Sequence, residues 1–470
     1  MKKTRLLFAF YILHFTLFAQ TTPRKLQKAY QQFESDSQLK HALISFYVIN
    51  AKTGEVVFDK NSKIGLAPAS TQKIIIAATA FELLGKGYRY KTELGYDGKI
   101  EDGILKGNLF VKGFGDPTFG SPRWKVTARS FVINKIIKAT IASGIHQVDG
   151  NVYLDESAFS IQPLPDGWIW QDIGNYYGAG CWGINWNENQ YDLLLKAGRK
   201  IGDSTTLVGS EPAIQVYSLI NQIKTAGKES GDNAYIYIAP YAVSGFTQGT
   251  IPLGEDNFKI SGSIPYPALQ ISSEMEKAFD SNHISIKESF KVYLEKMANH
   301  RSWPSLQTNV YTHYSPSLDS IIYWFLQKSI NLYGEALIKT LAYEKKGFGA
   351  TDSGVVIVKD FWKQKGVDQN ELNIYDGSGL SPLNRVTTHA QVEILKYAKQ
   401  QSWFPYFFKA LPEYNNMKIK SGSISDVKGY CGYHTSGDGT QYIFSFLVNN
   451  YSGSSSALVS KMYKILDVLK

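Results

Sequence analysis

Cysteine is nearly absent: the 470 residues hold two, Cys181 and Cys431. No Cys-x-x-Cys pair exists, and the eight histidines form no His-x-x-x-His pair, which argues against a structural or catalytic zinc site. No metal and no other cofactor is expected. One disulfide is open to an exported protein, but the spacing does not say whether the two cysteines meet. Long apolar runs are missing as well. A membrane span needs ~20 such residues, whereas Ile74 to Leu84 is short and contains Glu82. Concentrated basic runs are missing too. The formal charge is +9, or +6 once Lys2, Lys3 and Arg5 are subtracted, and it is dispersed, so no nucleic-acid partner is expected. A mildly basic exported chain suits an anionic cell-wall polymer instead. No repeat or low-complexity tract is evident.

The first residues do carry a signal. Lys2, Lys3 and Arg5 precede the mostly apolar Leu6 to Phe18, which reads as a secretory signal peptide over residues 1–19, cleaved near Ala19. No cysteine follows that region, so a lipid-anchored mature start is not expected. The predicted location is secreted, periplasmic, with at most peripheral membrane association.

A chain of this length predicts two or three domains. Leu26 to Leu39 reads as helix. Ala42 to Asn50 and Glu55 to Lys60 read as strands joined by a Lys52-Thr53-Gly54 turn. From about Tyr88 to Ile264-Pro265 the pattern is short strands between glycine-rich turns. Helical signals return at Ala268–Phe279 and Leu318–Lys328. Three strands close the chain, Met417–Ile424, Gly429–Thr435 and Gln441–Asn449, before a helix over Ser455–Lys470. Both ends together predict one α/β (α+β) domain, a five-stranded antiparallel sheet flanked by helices, made of residues 20–90 and 266–470. Residues 91–265 form a β-rich insertion in it.

Ser-x-x-Lys occurs three times, at Ser37–Lys40, Ser70–Lys73 and Ser425–Lys428. Ser37 lies in a polar segment and Ser425 among loop residues. Only Ser70 opens an apolar helix, Ile74 to Leu84, ended by Gly85. Residues at i and i+3 share a helix face, so the Lys73 amine is within reach of the Ser70 hydroxyl. A helix N-terminus adds free N–H groups and partial positive charge, which suits a nucleophile that must hold an oxyanion. The alternative is a helix N-terminal serine beside a solvated lysine.

Ser329-Ile330-Asn331 and Lys420-Ser421-Gly422-Ser423 follow in order. Ser-x-x-Lys, Ser-x-Asn and Lys-[Thr/Ser]-Gly in that order resemble the active-site set of penicillin-binding proteins and serine β-lactamases. The resemblance covers nearly the whole mature chain and is to the DacB type of low-molecular-mass penicillin-binding protein, the D-alanyl-D-alanine carboxypeptidase/endopeptidase family. Gly115-Asp116-Pro117, Gly167 to Asp172 with Tyr176 to Ala179, Ile264 to Leu269, and Asp376 to Ser381 with Asn384 match that family specifically. So does the long insertion between Lys73 and Ser329, which ordinary β-lactamases lack. Ser421 stands where threonine is usual and keeps the hydroxyl.

The resemblance implies a serine transpeptidase/β-lactamase-like fold acting on peptidoglycan stem peptides, with β-lactams as covalent inhibitors. In that scheme Ser70 attacks a peptide carbonyl to form an acyl-enzyme that water hydrolyses. Lys73, if neutral, takes its proton. Ser329 relays a proton to the leaving amine, and Asn331 holds lysine and substrate amide. Lys420, Ser421 and Ser423, with Gly422 in the same motif, receive the substrate carboxylate. The backbone N–H groups of Ser70 and Ser423 form the oxyanion hole. Asp172 is expected near the cleft, contacting the diamino acid of the stem peptide, or else is a surface or capping aspartate. Trp168, Trp170, Tyr176 and Tyr177 read as local core, and Asp376 to Ser381 as a structural turn. Competing readings are a β-lactamase or esterase on the same framework, and a non-catalytic wall-binding protein.

Overall fold

Leu43–Asn50, LISFYVIN, is buried along almost its whole length. Successive strand side chains point to opposite faces. Here Ile44, Phe46 and Val48 enter one apolar cluster while Tyr47 and Ile49 enter another, so the strand requires cover on both sides. The computed structural model, which describes residues 21–216, 218–299 and 302–470, supplies it. Helices Thr22–Glu34 and Ser455–Leu466 pack on the first face through Leu26, Tyr30, Leu458 and Met462. Helices Lys73–Leu84, Asn331–Lys346 and Thr388–Lys399 cover the second. The predicted signal peptide lies outside the described residues.

The sheet joins both ends of the chain in the order Val56–Lys60, Leu43–Asn50, Gln441–Asn449, Val427–Thr435, Met417–Ile424, Glu413–Tyr414. All its pairs are antiparallel. Six strands stand where five were expected. The extra one has two residues and pairs Tyr414 with Met417; Asn415 and Asn416 between them both have positive φ, the backbone of a tight hairpin turn that asparagine tolerates.

The inserted region holds two further bodies. One is a five-stranded sheet in the order Phe290–Val292, Val152–Asp155, Leu109–Gly113, Lys91–Tyr96, Thr308–Tyr314, packed with helices Arg129–Ala142 and Pro267–Ser281 in one core. The other comprises strands between Gln190 and Ser263 around its own core of Leu193, Ile236 and Ile260. Helix Arg129–Ala142 was not expected in a β-rich segment, although Val132, Ile136 and Thr140 recur at helical spacing on its buried side. The return to the main domain was expected at residue 266. Because Thr308–Tyr314 pairs with Lys91–Tyr96 and Ala268, Ile271 and Met275 enter the inserted core, it comes after Tyr314. No described helix is long and apolar enough to cross a membrane.

Candidate active site

Ser70 sits on a short 3₁₀ turn, Ala69–Gln72, just ahead of the buried helix Lys73–Leu84. Ala69 adopts φ +46°, a left-handed conformation costly for a residue with a Cβ. A buried chain holds the turn: Thr71 Oγ1 donates to Pro68 O (2.6 Å), Gln391 Nε2 to Thr71 Oγ1 (2.9 Å), and Ser445 Oγ to Gln391 Oε1 (2.6 Å). The nucleophile turn is thereby tied to the centre of the sheet.

Lys73 is fully buried. Its Nζ lies 2.9 Å from Ser70 Oγ and donates to Asn331 Oδ1 (2.7 Å) and Ser378 O (2.6 Å). Burial, and next the Lys420 cation, push its pKa well below the ordinary lysine value, against Asp376 and Glu335. A neutral amine has two N–H donors and one lone pair. With the two hydrogens spent on Asn331 and Ser378, the lone pair faces the serine hydroxyl. Asn331 is held in turn, its Nδ2 donating to Tyr177 O at 2.7 Å.

Lys420 is 1 % exposed and donates to Ser421 O at 2.7 Å; burial lowers its pKa to about 7. It lies behind the cleft wall, which Ser423, Ile424 and Ser425 form from the same strand and turn. Gly422 brings that strand against the nucleophile turn: a Cβ there would meet Pro68 O at 2.6 Å and Ser70 N at 2.9 Å. Ser329, at φ +56°, reaches the cleft, but among the described residues its hydroxyl makes no hydrogen bond to either lysine.

The cleft encloses about 600 Å³, with Ser70, Ser329, Asn331 and Ser423 on the main-domain side. Asp172, Tyr176, Tyr177 and Arg123 come from the insertion. Asp172 is half-buried on the single turn Trp170–Ile173, and burial raises its pKa to about 6 against a hydrogen bond from Tyr177. Trp168 is buried as expected, whereas Trp170 and Tyr176 are 46 % and 50 % exposed and are not core. Tyr176 lines the cleft, and the Trp170 ring lies 5.9 Å from that of Tyr237.

The Asp376 turn is structural, as expected. Its carboxylate accepts from Gln72, Trp168 and Asn384 side chains and from the Gly379 and Ser381 N–H groups. It also delivers Ser378 O to Lys73, a main-chain role no side-chain pattern announces. Glu335 was not singled out. It is buried, accepts from Gly377 N at 3.1 Å, and is raised to about 8 by burial and then Asp376. Its place four residues after Asn331, one helical turn on, was the available signal. Cys181 and Cys431 are both free and buried.

A model of the D-Ala-D-Ala carboxypeptidase 3 (S13) family matches residues 26–468. The chain is 25% identical over 465 residues to a D-alanyl-D-alanine carboxypeptidase of Actinomadura sp. (strain R39), covering 90% of this chain and 81% of that one. It is 23% identical to the D-alanyl-D-alanine carboxypeptidase DacB of Haemophilus influenzae, covering 87% and 86%. The crystal structure of penicillin binding protein 4 (dacB) from Haemophilus influenzae matches with a TM-score of 0.80 at 19% identity, over 94% of this chain and 98% of that one. The fold is therefore shared across the insertion as well as the main domain.

Proposed function

The chain belongs to the D-Ala-D-Ala carboxypeptidase 3 (S13) family and is a serine DD-peptidase, and on that premise we propose that it cleaves D-alanyl bonds of peptidoglycan stem peptides through an acyl-enzyme on Ser70. The observation that carries this reading is the buried Lys73 amine, 2.9 Å from Ser70 Oγ with its other contacts taken by Asn331 and Ser378. Complete burial, and next to it a second cation at Lys420, disfavour the charged form of Lys73 and hold its pKa well below the ordinary lysine value.

Ser70 Oγ bonds to the carbonyl carbon as its proton passes to Lys73. The oxyanion takes hydrogen bonds from the N–H groups of Ser70 and Ser423. The C–N bond then breaks, and the leaving amine receives a proton through Ser329. Water hydrolyses the ester and restores the serine. Ser423 offers its hydroxyl to the carboxylate beside the scissile bond, and Lys420, behind that wall in the same motif as Ser421, adds positive charge when protonated, below about pH 7. A β-lactam enters the same cycle and remains as an acyl-enzyme, and a β-lactam complex of the Haemophilus influenzae protein is among the similar structures, at a TM-score of 0.75. The substrate places the enzyme outside the cytoplasm, in keeping with a signal peptide over residues 1–19 and at most peripheral membrane contact. Labelled penicillin tests the assignment. Mass spectrometry is expected to find one adduct, on Ser70, and none on Ser70→Ala; an adduct elsewhere, or none on the wild type, refutes it.

Asp172 supports recognition of an ammonium group on the stem peptide's diamino acid. Its carboxyl is charged above about pH 6 and neutral below. The preference in kcat/KM for a substrate with a free side-chain amine over its N-acetylated form is therefore expected to fall as pH drops through 6. Asp172→Asn should show the weak preference at every pH; a pH-independent wild-type preference would remove Asp172 from this role.

A further inference from the structure

Three charged side chains line the cleft: Asp172, Arg123 and Lys328. The two cations have no part in the cycle above. Arg123 comes from the insertion and is held in a fixed pose. Its Nε and Nη2 donate to the two carboxylate oxygens of Glu188 at 2.7 and 3.0 Å, and the guanidinium lies 5.1 Å from the Trp324 ring centroid. Glu188 is 4 % exposed and also accepts from Ser121 Oγ (2.7 Å) and Tyr333 Oη (2.6 Å).

Two features say this pose is held for a purpose beyond packing. Asn187, Glu188 and Asn189 are consecutive non-glycine residues with φ +55°, +54° and +52°, a backbone that costs about 1 kcal/mol or more per residue. The carboxylate so delivered meets four donor atoms, three on Oε1 and one on Oε2. The guanidinium is not saturated: among the described residues Nη1 donates to none, and Arg123 is partly exposed in the cleft. A planar fork with one edge anchored and one edge free is suited to a carboxylate.

Its side of the cleft follows from its neighbours. Trp324, beneath the guanidinium, and Lys328 belong to the segment that ends in Ser329. On the reading above, on which this inference rests, Ser329 serves the leaving amine. We propose that Arg123, oriented by Glu188 and helped by Lys328, binds a second carboxylate on the leaving group, beyond the one beside the scissile bond. Free D-alanine has no such group. The acceptor half of a cross-linked stem peptide does, at its own C-terminus. Arg123 is then a specificity-determining residue for cleaving cross-links.

The test uses the full mature chain and two synthetic cross-linked peptide dimers, identical except that the acceptor's C-terminal carboxylate is free in one and an amide in the other. Amidation is expected to lower kcat/KM about tenfold or more in the wild type, the worth of a charge-assisted hydrogen bond. Arg123→Gln should cut both dimers at one common rate. Equal rates for the two dimers in the wild type, or discrimination retained in Arg123→Gln, overturn the proposal. The wild-type comparison needs no variant and stands even if Arg123→Gln does not fold. Acylation of Ser70 by labelled penicillin in the same preparations separates the failures. Equal wild-type rates, or discrimination retained in Arg123→Gln, with intact acylation overturn the Arg123 assignment alone, and absent acylation overturns the reading beneath it.

Discussion

Replacing Lys73 by methionine is expected to slow acylation by labelled penicillin by about 10³-fold or more while the protein remains folded, since a positioned general base contributes ~10²–10⁴ and no other amine donates to or accepts from Ser70 Oγ among the described residues. Methionine has similar length and no charge to bury, so it fits the cavity among Ile330, Phe325 and the Ser70 turn. Asn331 Oδ1 and Ser378 O each lose a donor, at about 1–3 kcal/mol apiece. Removing a fully buried amine offsets part of that. The measurement is stopped-flow acylation beside a thermal unfolding curve. A rate within about tenfold of wild type in a folded variant would assign the proton to another group.

Gly422→Ala is expected to be nearly as damaging, although it adds only one methyl group. The new Cβ would sit 2.6 Å from Pro68 O, 2.8 Å from Thr71 N and 2.9 Å from Ser70 N. All three are backbone atoms of the turn that presents the nucleophile, and that turn is held by Gln391 and Ser445 from beneath. It can only move as a unit, away from the strand carrying Ser423. A displacement near 1 Å at a reacting centre costs on the order of 10²-fold in rate, and overpacking costs about 1–3 kcal/mol in stability. Acylation should therefore fall by about 10²-fold or more, with a lowered unfolding midpoint. A variant acylating at the wild-type rate would mean that the strand and the turn are not in contact during the reaction.

Local patterning made much of the frame legible. Strands Met417–Ile424 and Gln441–Asn449 fall where the sequence predicts them; the second is a short, nearly continuous apolar run, buried from Tyr442 to Val448, as a strand covered on both faces requires. The sixth sheet strand and helix Arg129–Ala142 were missed for opposite reasons: two residues are too few to show a period, and a single helix was masked by the turn signals around it. The end of the insertion was misplaced because helix Pro267–Ser281 looks alike whichever core it joins; only the Thr308–Tyr314 pairing decides that.

Ser70, Lys73, Ser329, Asn331 and Lys420 were named from three short motifs, since reactive side chains at fixed spacing are a property of the chain. The sequence by itself determined which groups are available and the family they resemble. The tertiary structure decided what they meet. Lys73 ends against a main-chain oxygen of Ser378, Lys420 lies behind the wall rather than in it, and the two cysteines stay apart. Arg123 and Asp172 reach the same cleft as Ser329 although 206 and 157 residues separate them from it along the chain. Distances between residues remote in sequence are set by packing, and burial, which moves the pKa values of both lysines, exists only once the chain has closed around them.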